Sequence, residues 1–234
     1  MKPVSLASCR KALERKYTLP LLALLSILFT SPLIERFPAL YPLPVFLIMT
    51  VVLTLLRVLR IDGRIMALAA ACALLSFGLE VLWRYTHNLS LRDMPAGFAV
   101  VIFFPAITFY LIAILAMVRR VFTEKRVTGD TIWGGIMIYF LIGILWSRFY
   151  HLAAILDSGA FKPPLMVGDI FQVFYFSMST LTTLGYGDFT PGNHATMVLS
   201  TLEAAAGQIY LAVFVARLIG LEIVHKSSAN NALK

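Results

Sequence analysis

Charge is scarce in this chain of 234 residues: 14% are Asp, Glu, Lys or Arg, while 59% are hydrophobic. A soluble domain carries about a quarter charged residues. The composition therefore excludes one and indicates an integral membrane protein, as does a mean hydropathy of +0.84. Cysteine is nearly absent. Cys9 lies in a basic tail and Cys72 in an apolar run, which excludes a disulfide framework and leaves two free thiols. The four histidines, His87, His151, His194 and His225, are scattered without metal-ligand spacing, and no residue set resembles an enzyme site, so neither a catalytic role nor a bound cofactor is expected. Internal repeats are missing, and no soluble domain stands at either end. The net charge of +8 does not point to nucleic acid, because the basic residues sit at the ends of apolar runs, where they set topology.

Two N-terminal patterns lead nowhere. Leu6-Ala7-Ser8-Cys9 has the form of a lipoprotein cleavage box but lacks the apolar stretch that should precede it. Leu19–Phe29 follows a basic segment as a signal peptide would, yet no A-x-A site comes after it and the next apolar run starts almost at once. An uncleaved first helix is expected. Asn88-Leu89-Ser90 fits a glycosylation sequon, a pattern too short to carry weight alone.

Long apolar runs are what the chain does have. A spanning helix needs about 20 mostly apolar residues, and six stretches qualify: Thr18–Ile34, Leu40–Leu59, Ile65–Trp83, Ala96–Val118, Ile132–Ile155 and Ala195–Leu221. Ile170–Thr182 is apolar but too short to cross, and has the length of a re-entrant helix. Lysine and arginine orient these spans. The N-terminal tail (Lys2, Arg10, Lys11, Arg15, Lys16), the loop with Arg57, Arg60 and Arg64, the link with Arg119, Arg120, Lys125 and Arg126, and the C-terminal Arg217, Lys226 and Lys234 fall on one side. Arg36, Arg84, Arg92, Arg148 and Lys162 fall on the other. A fifteen-to-five bias places both termini in the cytoplasm of a multi-pass cell-membrane protein, with the short segment re-entering from outside between spans five and six.

That segment leads into Ser179–Pro191, STLTTLGYGDFTP. Four threonines, two glycines, a tyrosine and an aspartate are poor material for a lipid-facing helix. Inside a bilayer, non-helical backbone survives only where protein buries it or water lines it. Glycines at alternate positions allow dihedrals barred to other residues, so successive carbonyls can point the same way. Such a row can replace the water around a dehydrated cation. The short helix also turns its negative dipole end inward.

Thr182-Thr183-Leu184-Gly185-Tyr186-Gly187-Asp188 resembles the signature of potassium channels, and the resemblance extends from about Val127 to Leu221. It implies that Thr183, Leu184, Gly185, Tyr186 and Gly187 form a selectivity filter, with K+ held by the carbonyls of Thr183, Leu184, Gly185 and Tyr186. Leu184 stands where valine is commonest, and its side chain is expected to face backward into protein. The resemblance further implies that Asp188 braces the filter, with Tyr175 in the place of an aromatic that bonds it; a lipid-interface aromatic is the alternative for Tyr175. Gly207 corresponds to a flexible point of the inner helix, against a simple packing glycine. Gln208 either lines the cavity below the filter or bonds a neighbouring helix. Glu203 lies about 12 Å into the sixth span at about 1.5 Å per residue, where a lone carboxylate is costly. It either pairs with Arg148 or accepts hydrogen bonds from Ser177 or Ser179. Gly207, Gln208 and Glu203 are the gating candidates.

The resemblance weakens in the first four spans. A voltage sensor needs arginines along the fourth span, and Ala96–Val118 has no Lys or Arg. Arg119 and Arg120 read as inner-surface anchors, and the link Arg119–Asp130 as the place where anionic lipid would act. Glu80 and Arg84 are spaced to pair as i,i+4. The expected fold is thus all-α: six transmembrane helices with a re-entrant pore helix and filter loop between the fifth and sixth. The expected units are a tail at 1–17, a four-helix region at 18–118, a linker at 119–131, a pore domain at 132–221 and a tail at 222–234. The resemblance implies a homotetrameric, prokaryotic-type potassium channel. A less selective cation channel and a non-conducting accessory subunit are the alternatives. A transporter is disfavoured because inverted repeats are missing.

Overall fold

The computed structural model describes residues 17–28, 36–37, 40, 42–87, 91, 94–124, 127–165 and 170–231. Cys9 and the basic tail before Tyr17, the end of the first expected span, the sequon at Asn88, Arg92, Lys125, Arg126, the Lys226 side chain and Lys234 lie outside them.

Among the described residues the chain is helical, with one two-residue ladder. The helices are α1 (Thr18–Leu28), α2 (Pro42–Val58), α3 (Gly63–Thr86), α4 (Ala96–Thr123), α5 (Gly129–Leu156), α6 (Ile170–Leu181) and α7 (His194–Asn231). β1 (Phe161–Lys162) pairs antiparallel with β2 (Thr190–Pro191).

Local chemistry sets the ends. Proline opens α2, where its missing N–H is no loss. Arg60 then turns the chain with a φ of 53°, a left-handed stop. Asp62 starts α3 by accepting from the Arg64 N–H at 2.7 Å, satisfying one orphan donor. Thr128 and Thr131 form a reciprocal capping box at the start of α5, with Asp130 in the first turn against the positive dipole end. Pro105 interrupts the hydrogen-bond ladder inside α4 without ending it.

Among the described residues four helices are long and apolar enough to cross a membrane: Gly63–Thr86, Ala96–Thr123, Gly129–Leu156 and His194–Ile223. The protein is a multi-pass membrane protein. As described, α1 has 11 residues and α2 has 17, so neither reaches spanning length by itself, and α6 has 12.

The main apolar core joins α1, α2, α4 and α5 through residues such as Leu24, Leu55, Phe109, Met117, Ile138 and Leu141, all buried. A second cluster at the C-terminal end of α5 stacks Tyr150, Phe161 and Phe176 edge to face, with centroids 4.9–5.8 Å apart. Half of the spanning window of α5 is buried, but only 11% of that of α7. One whole side of α7 is therefore uncovered by its own chain.

Polar groups enter the bundle in pairs. Arg84 donates from Nε and Nη2 to Glu80 Oε1 at 3.2 and 3.0 Å, both side chains being buried. The expected i,i+4 pair is present and satisfies both charges. Arg148 is also buried and lies 6.0 Å from the Tyr110 ring centre. Where α4 gives way to α5, Thr131 donates to Glu124 Oε2 at 2.8 Å, and Arg217 Nη2 donates to the Glu124 carbonyl at 2.9 Å. These bonds fasten the α4–α5 link to the C-terminal part of α7.

Candidate functional site

The site begins where α6 runs out of helix. Its last carbonyls need partners, and the chain supplies them. The Tyr139 hydroxyl donates to the Leu181 carbonyl at 3.0 Å. The Thr182 N–H donates to Met178 O at 3.0 Å and the Thr183 N–H to Thr180 O at 2.9 Å. Then the pattern changes. The Leu184 and Gly185 N–H groups both donate to one acceptor, the Ser179 carbonyl, at 2.8 and 3.2 Å. The Tyr186 N–H points to Ser179 Oγ at 3.5 Å.

Four successive N–H groups thus face back toward α6. In a trans peptide the N–H of one residue is antiparallel to the C=O of the residue before it. The carbonyls of Thr182, Thr183, Leu184 and Gly185 must therefore point away from α6, toward the side on which residues 182–188 are exposed. The dihedrals explain how. Thr183, Gly185 and Gly187 have φ of 59°, 58° and 81°, at every second position. A chain alternating between left- and right-handed regions keeps its carbonyls on one side, unlike a strand, whose carbonyls alternate. Glycine takes this conformation freely, whereas for Thr183 it costs about 1–2 kcal/mol.

Leu184 was expected to face backward into protein. In the single chain it is 56% exposed, and Tyr186 is 65% exposed. Tyr186 stacks on Tyr175, 6.1 Å between centroids and 7° from parallel. Tyr175 also donates to Asp188 Oδ2 at 2.8 Å. The tyrosine therefore meets the loop on both sides of Gly187, by its ring and by its hydroxyl.

The segments around the loop are held from outside. Asn193 Nδ2 donates to Asp157 Oδ2 at 2.6 Å, Thr196 donates to Ala160 O at 2.8 Å, and the Gly192 N–H donates to the same carbonyl at 2.8 Å. The Gly159 N–H and the Asn193 amide hold the Asp157 carboxyl below its ordinary value.

The inner side belongs to α7. A Cβ on Gly207 would lie 2.3 Å from the Leu181 carbonyl oxygen. The glycine is a close-approach position between α7 and the end of α6, which is the packing alternative. Gln208 Nε2 is 3.5 Å from Thr183 Oγ1, at the limit of hydrogen bonding, and is exposed on the same side as the loop.

Glu203 is fully buried, and its neighbours differ from one of the two expectations. Arg148 does not pair with it. The carboxyl lies between Ser177 Oγ, 2.5 Å from Oε1, and the Tyr150 hydroxyl, 2.5 Å from Oε2. Ser177 Oγ is in turn 2.8 Å from the Gly143 carbonyl. Ser179 takes no part in this and serves the loop. The physical reason is distance: Arg148 is drawn to Tyr110 on the α4 side of α5, whereas Glu203 meets the α6 side. Tyr150 and Tyr139 were not anticipated as partners. One signal was available, since 139, 143 and 150 recur at helical spacing on one face of α5.

Between α6, the loop and α7 lies a groove of about 480 Å³ lined by Phe176, Ser179, Thr183, Gly185, Ser200 and Ala204. It opens on the face that α7 leaves uncovered. Among the described residues no cluster of His, Cys, Asp and Glu is arranged to hold a metal ion.

Residues 137–221, from the middle of α5 to the C-terminal part of α7, match the family described as "Ion channel". The chain is similar to the two pore potassium channel a of Oryza sativa subsp. japonica, 30% identical over 99 residues, 42% of this chain and 26% of that protein. It spans about a quarter of the length of that relative. No solved structure gives a significant match. The matches point to a channel rather than an enzyme.

Proposed function

We propose that the protein is a potassium-selective channel, conducting passively through an axial pore enclosed by four copies of the chain. The observation that carries this reading is the Thr182–Tyr186 backbone, whose N–H groups are tied to α6, leaving the carbonyls of Thr182 to Gly185 facing outward. The Thr182 carbonyl accepts from Thr183 Oγ1 at 2.6 Å, but those of Thr183, Leu184 and Gly185 have no hydrogen-bond partner among the described residues. In a membrane, unsatisfied backbone groups cost several kcal/mol each, so they need both an ion and other copies of themselves. The exposed flank of α7 and the groove beside the loop give those copies a place to pack. Four such loops form the ring of carbonyls that potassium filters use. The family match and the similarity to a potassium channel support potassium as the ion.

On this reading α6 re-enters from outside and α5 and α7 are the outer and inner pore helices. Thr183, Leu184, Gly185 and Tyr186 offer the coordinating carbonyls and Gly187 the freedom to turn. The helices before α5 form a collar in which α1 and α2 belong to spans one and two. Both termini are cytoplasmic on this reading, which the distribution of basic residues supports.

Flux from liposomes holding the purified full chain tests the reading. Potassium leaves and sodium stays behind; equal rates for the two ions from a folded preparation refute it. Gly185→Ala, which forces a side chain onto a φ of 58°, abolishes selective flux while insertion into the membrane is unchanged.

A further inference from the structure

Three close oxygen–oxygen contacts surround Glu203: Tyr150 Oη to Glu203 Oε2, Glu203 Oε1 to Ser177 Oγ, and Ser177 Oγ to the Gly143 carbonyl. Each needs a proton between its oxygens, because two bare lone pairs repel at hydrogen-bond distance. Tyr150 supplies one proton, Ser177 supplies one, and a carbonyl supplies none. An ionised Glu203 leaves three contacts and two protons.

Neither placement of the Ser177 proton repairs this. Given to Glu203, it leaves a serine lone pair against the Gly143 carbonyl at 2.8 Å. Given to Gly143, it leaves that lone pair against a carboxylate oxygen at 2.5 Å. One hydroxyl proton cannot lie along both lines. The site is closed to solvent, with Glu203 and Ser177 fully buried, so bulk water does not screen the repulsion. A third proton, on Glu203 Oε1, satisfies every contact. Tyr150 then donates to Glu203, Glu203 to Ser177, and Ser177 to Gly143.

The surroundings agree. The salt bridge found among the described residues joins Glu80 to Arg84, and no cation pairs with Glu203. The ionisable groups near enough to feel its charge are Tyr139 and Tyr150, both on α5. From α6 it meets the hydroxyl of Ser177. An unpaired carboxylate here would be a buried charge without compensation.

We propose that Glu203 is a neutral carboxylic acid in the folded protein, the middle donor of a chain Tyr150–Glu203–Ser177–Gly143 that clamps α7 to α5 and α6. For its functional consequence the inference rests on the channel reading. Ser177 is two residues from Ser179, whose carbonyl holds the Leu184 and Gly185 N–H groups. Loss of the Glu203 proton breaks one link of the clamp and loosens the turn of α6 that anchors the loop. Glu203 is thus a positioning residue that touches no ion.

Infrared spectroscopy of the full chain in lipid vesicles, wild type minus Glu203→Gln, tests the protonation directly. The expected difference spectrum near neutral pH contains the carbonyl stretch of an un-ionised carboxylic acid, shifted in heavy water. A difference spectrum holding only the bands of an ionised carboxylate overturns the proposal. Potassium flux tests the role. The glutamine amide donates to Ser177 and its oxygen accepts from Tyr150, so Glu203→Gln keeps wild-type flux, whereas Glu203→Ala loses most of it. A folded Glu203→Gln protein that has lost its flux while the wild type conducts overturns the positioning role. The infrared result does not depend on conduction, so a wild type that passes no potassium refutes the channel reading and leaves the protonation to be decided by the spectrum. If Glu203→Ala fails to fold, the spectrum and the Glu203→Gln flux still decide.

Discussion

Replacing Gly207 with alanine separates a packing glycine from a hinge. The added Cβ would stand 2.3 Å from the Leu181 carbonyl oxygen, 2.9 Å from Leu181 Cδ1 and 3.2 Å from the Leu181 carbonyl carbon. Ordinary contact begins near 3.4 Å, so α7 must retreat by about 1 Å or the carbonyl must tilt. The nearest atom is backbone, and backbone cannot swing aside as a long side chain can. Overpacking of this kind costs about 1–3 kcal/mol. The Leu181 carbonyl also accepts from Tyr139 at 3.0 Å, and weakening that bond adds about 1 kcal/mol. A total of about 2–4 kcal/mol corresponds to a fall in unfolding temperature of roughly 5–15 °C for a chain of this length. Thermal unfolding of the purified protein in detergent, followed alongside potassium flux, measures both consequences. Gly220→Ala is the control, since nothing lies within 4 Å of a Cβ there and alanine gains about 1 kcal/mol of helix propensity. A Gly207→Ala protein that unfolds at the wild-type temperature yet opens less often would show a hinge, and the packing argument would fail.

Three further outcomes follow from the geometry. Tyr175→Phe removes the 2.8 Å bond to Asp188 but keeps the ring on Tyr186, so ion occupancy or inactivation changes in single-channel records while expression does not; unaltered records count against a bracing role. Recordings across about ±100 mV show no steep conductance–voltage curve, because α4 carries no Lys or Arg before Arg119 and Arg120; a steep curve lost on neutralising those two arginines contradicts this. Asp157 has a carboxyl held below its ordinary value by Gly159 and Asn193, so its stabilising bonds are fully formed above the ordinary carboxylate range and lost as pH falls through the lowered one. Unfolding temperature therefore falls under strong acid more in the wild type than in Asp157→Asn, and equal acid sensitivity of the two argues against the tether.

Much of this was legible in the residues, and what was not has a common cause. Apolar runs of spanning length identify α3, α4, α5 and α7, because hydrocarbon demands length and apolarity from each helix separately. The same rule leaves α1 and α2 short as described, since both hold few residues and the end of the first run lies outside the described segments. The i,i+4 spacing of Glu80 and Arg84 needed only helical geometry. The motif likewise anticipated the contact between Tyr175 and Asp188, thirteen positions apart. Glu203 behaved otherwise. Its partners stand 26 and 53 residues away, on helices whose rotation no periodicity determines, so Arg148 looked as eligible as Tyr150. The loop backbone was legible only in part for a related reason, since its N–H groups go to Ser179, a residue outside the glycine-rich motif.

Ser179 offers two acceptors to the loop, its carbonyl to Leu184 and Gly185 and its hydroxyl to Tyr186. One residue of a helix thereby acts as the datum from which three peptide planes are measured. Identity along Thr180–Leu184 is loosely constrained by this arrangement, because the bonds run through backbone N–H groups that every residue except proline possesses. Count is not. Adding or removing one residue between Ser179 and Gly185 would rotate each N–H off its acceptor and swap the left-handed positions onto Leu184 and Tyr186, where side chains make them costly, as one already is at Thr183. Chains built on this plan are free to vary in spelling across that turn and are bound in length, so an alignment gap placed there would mark a loop that no longer works the same way.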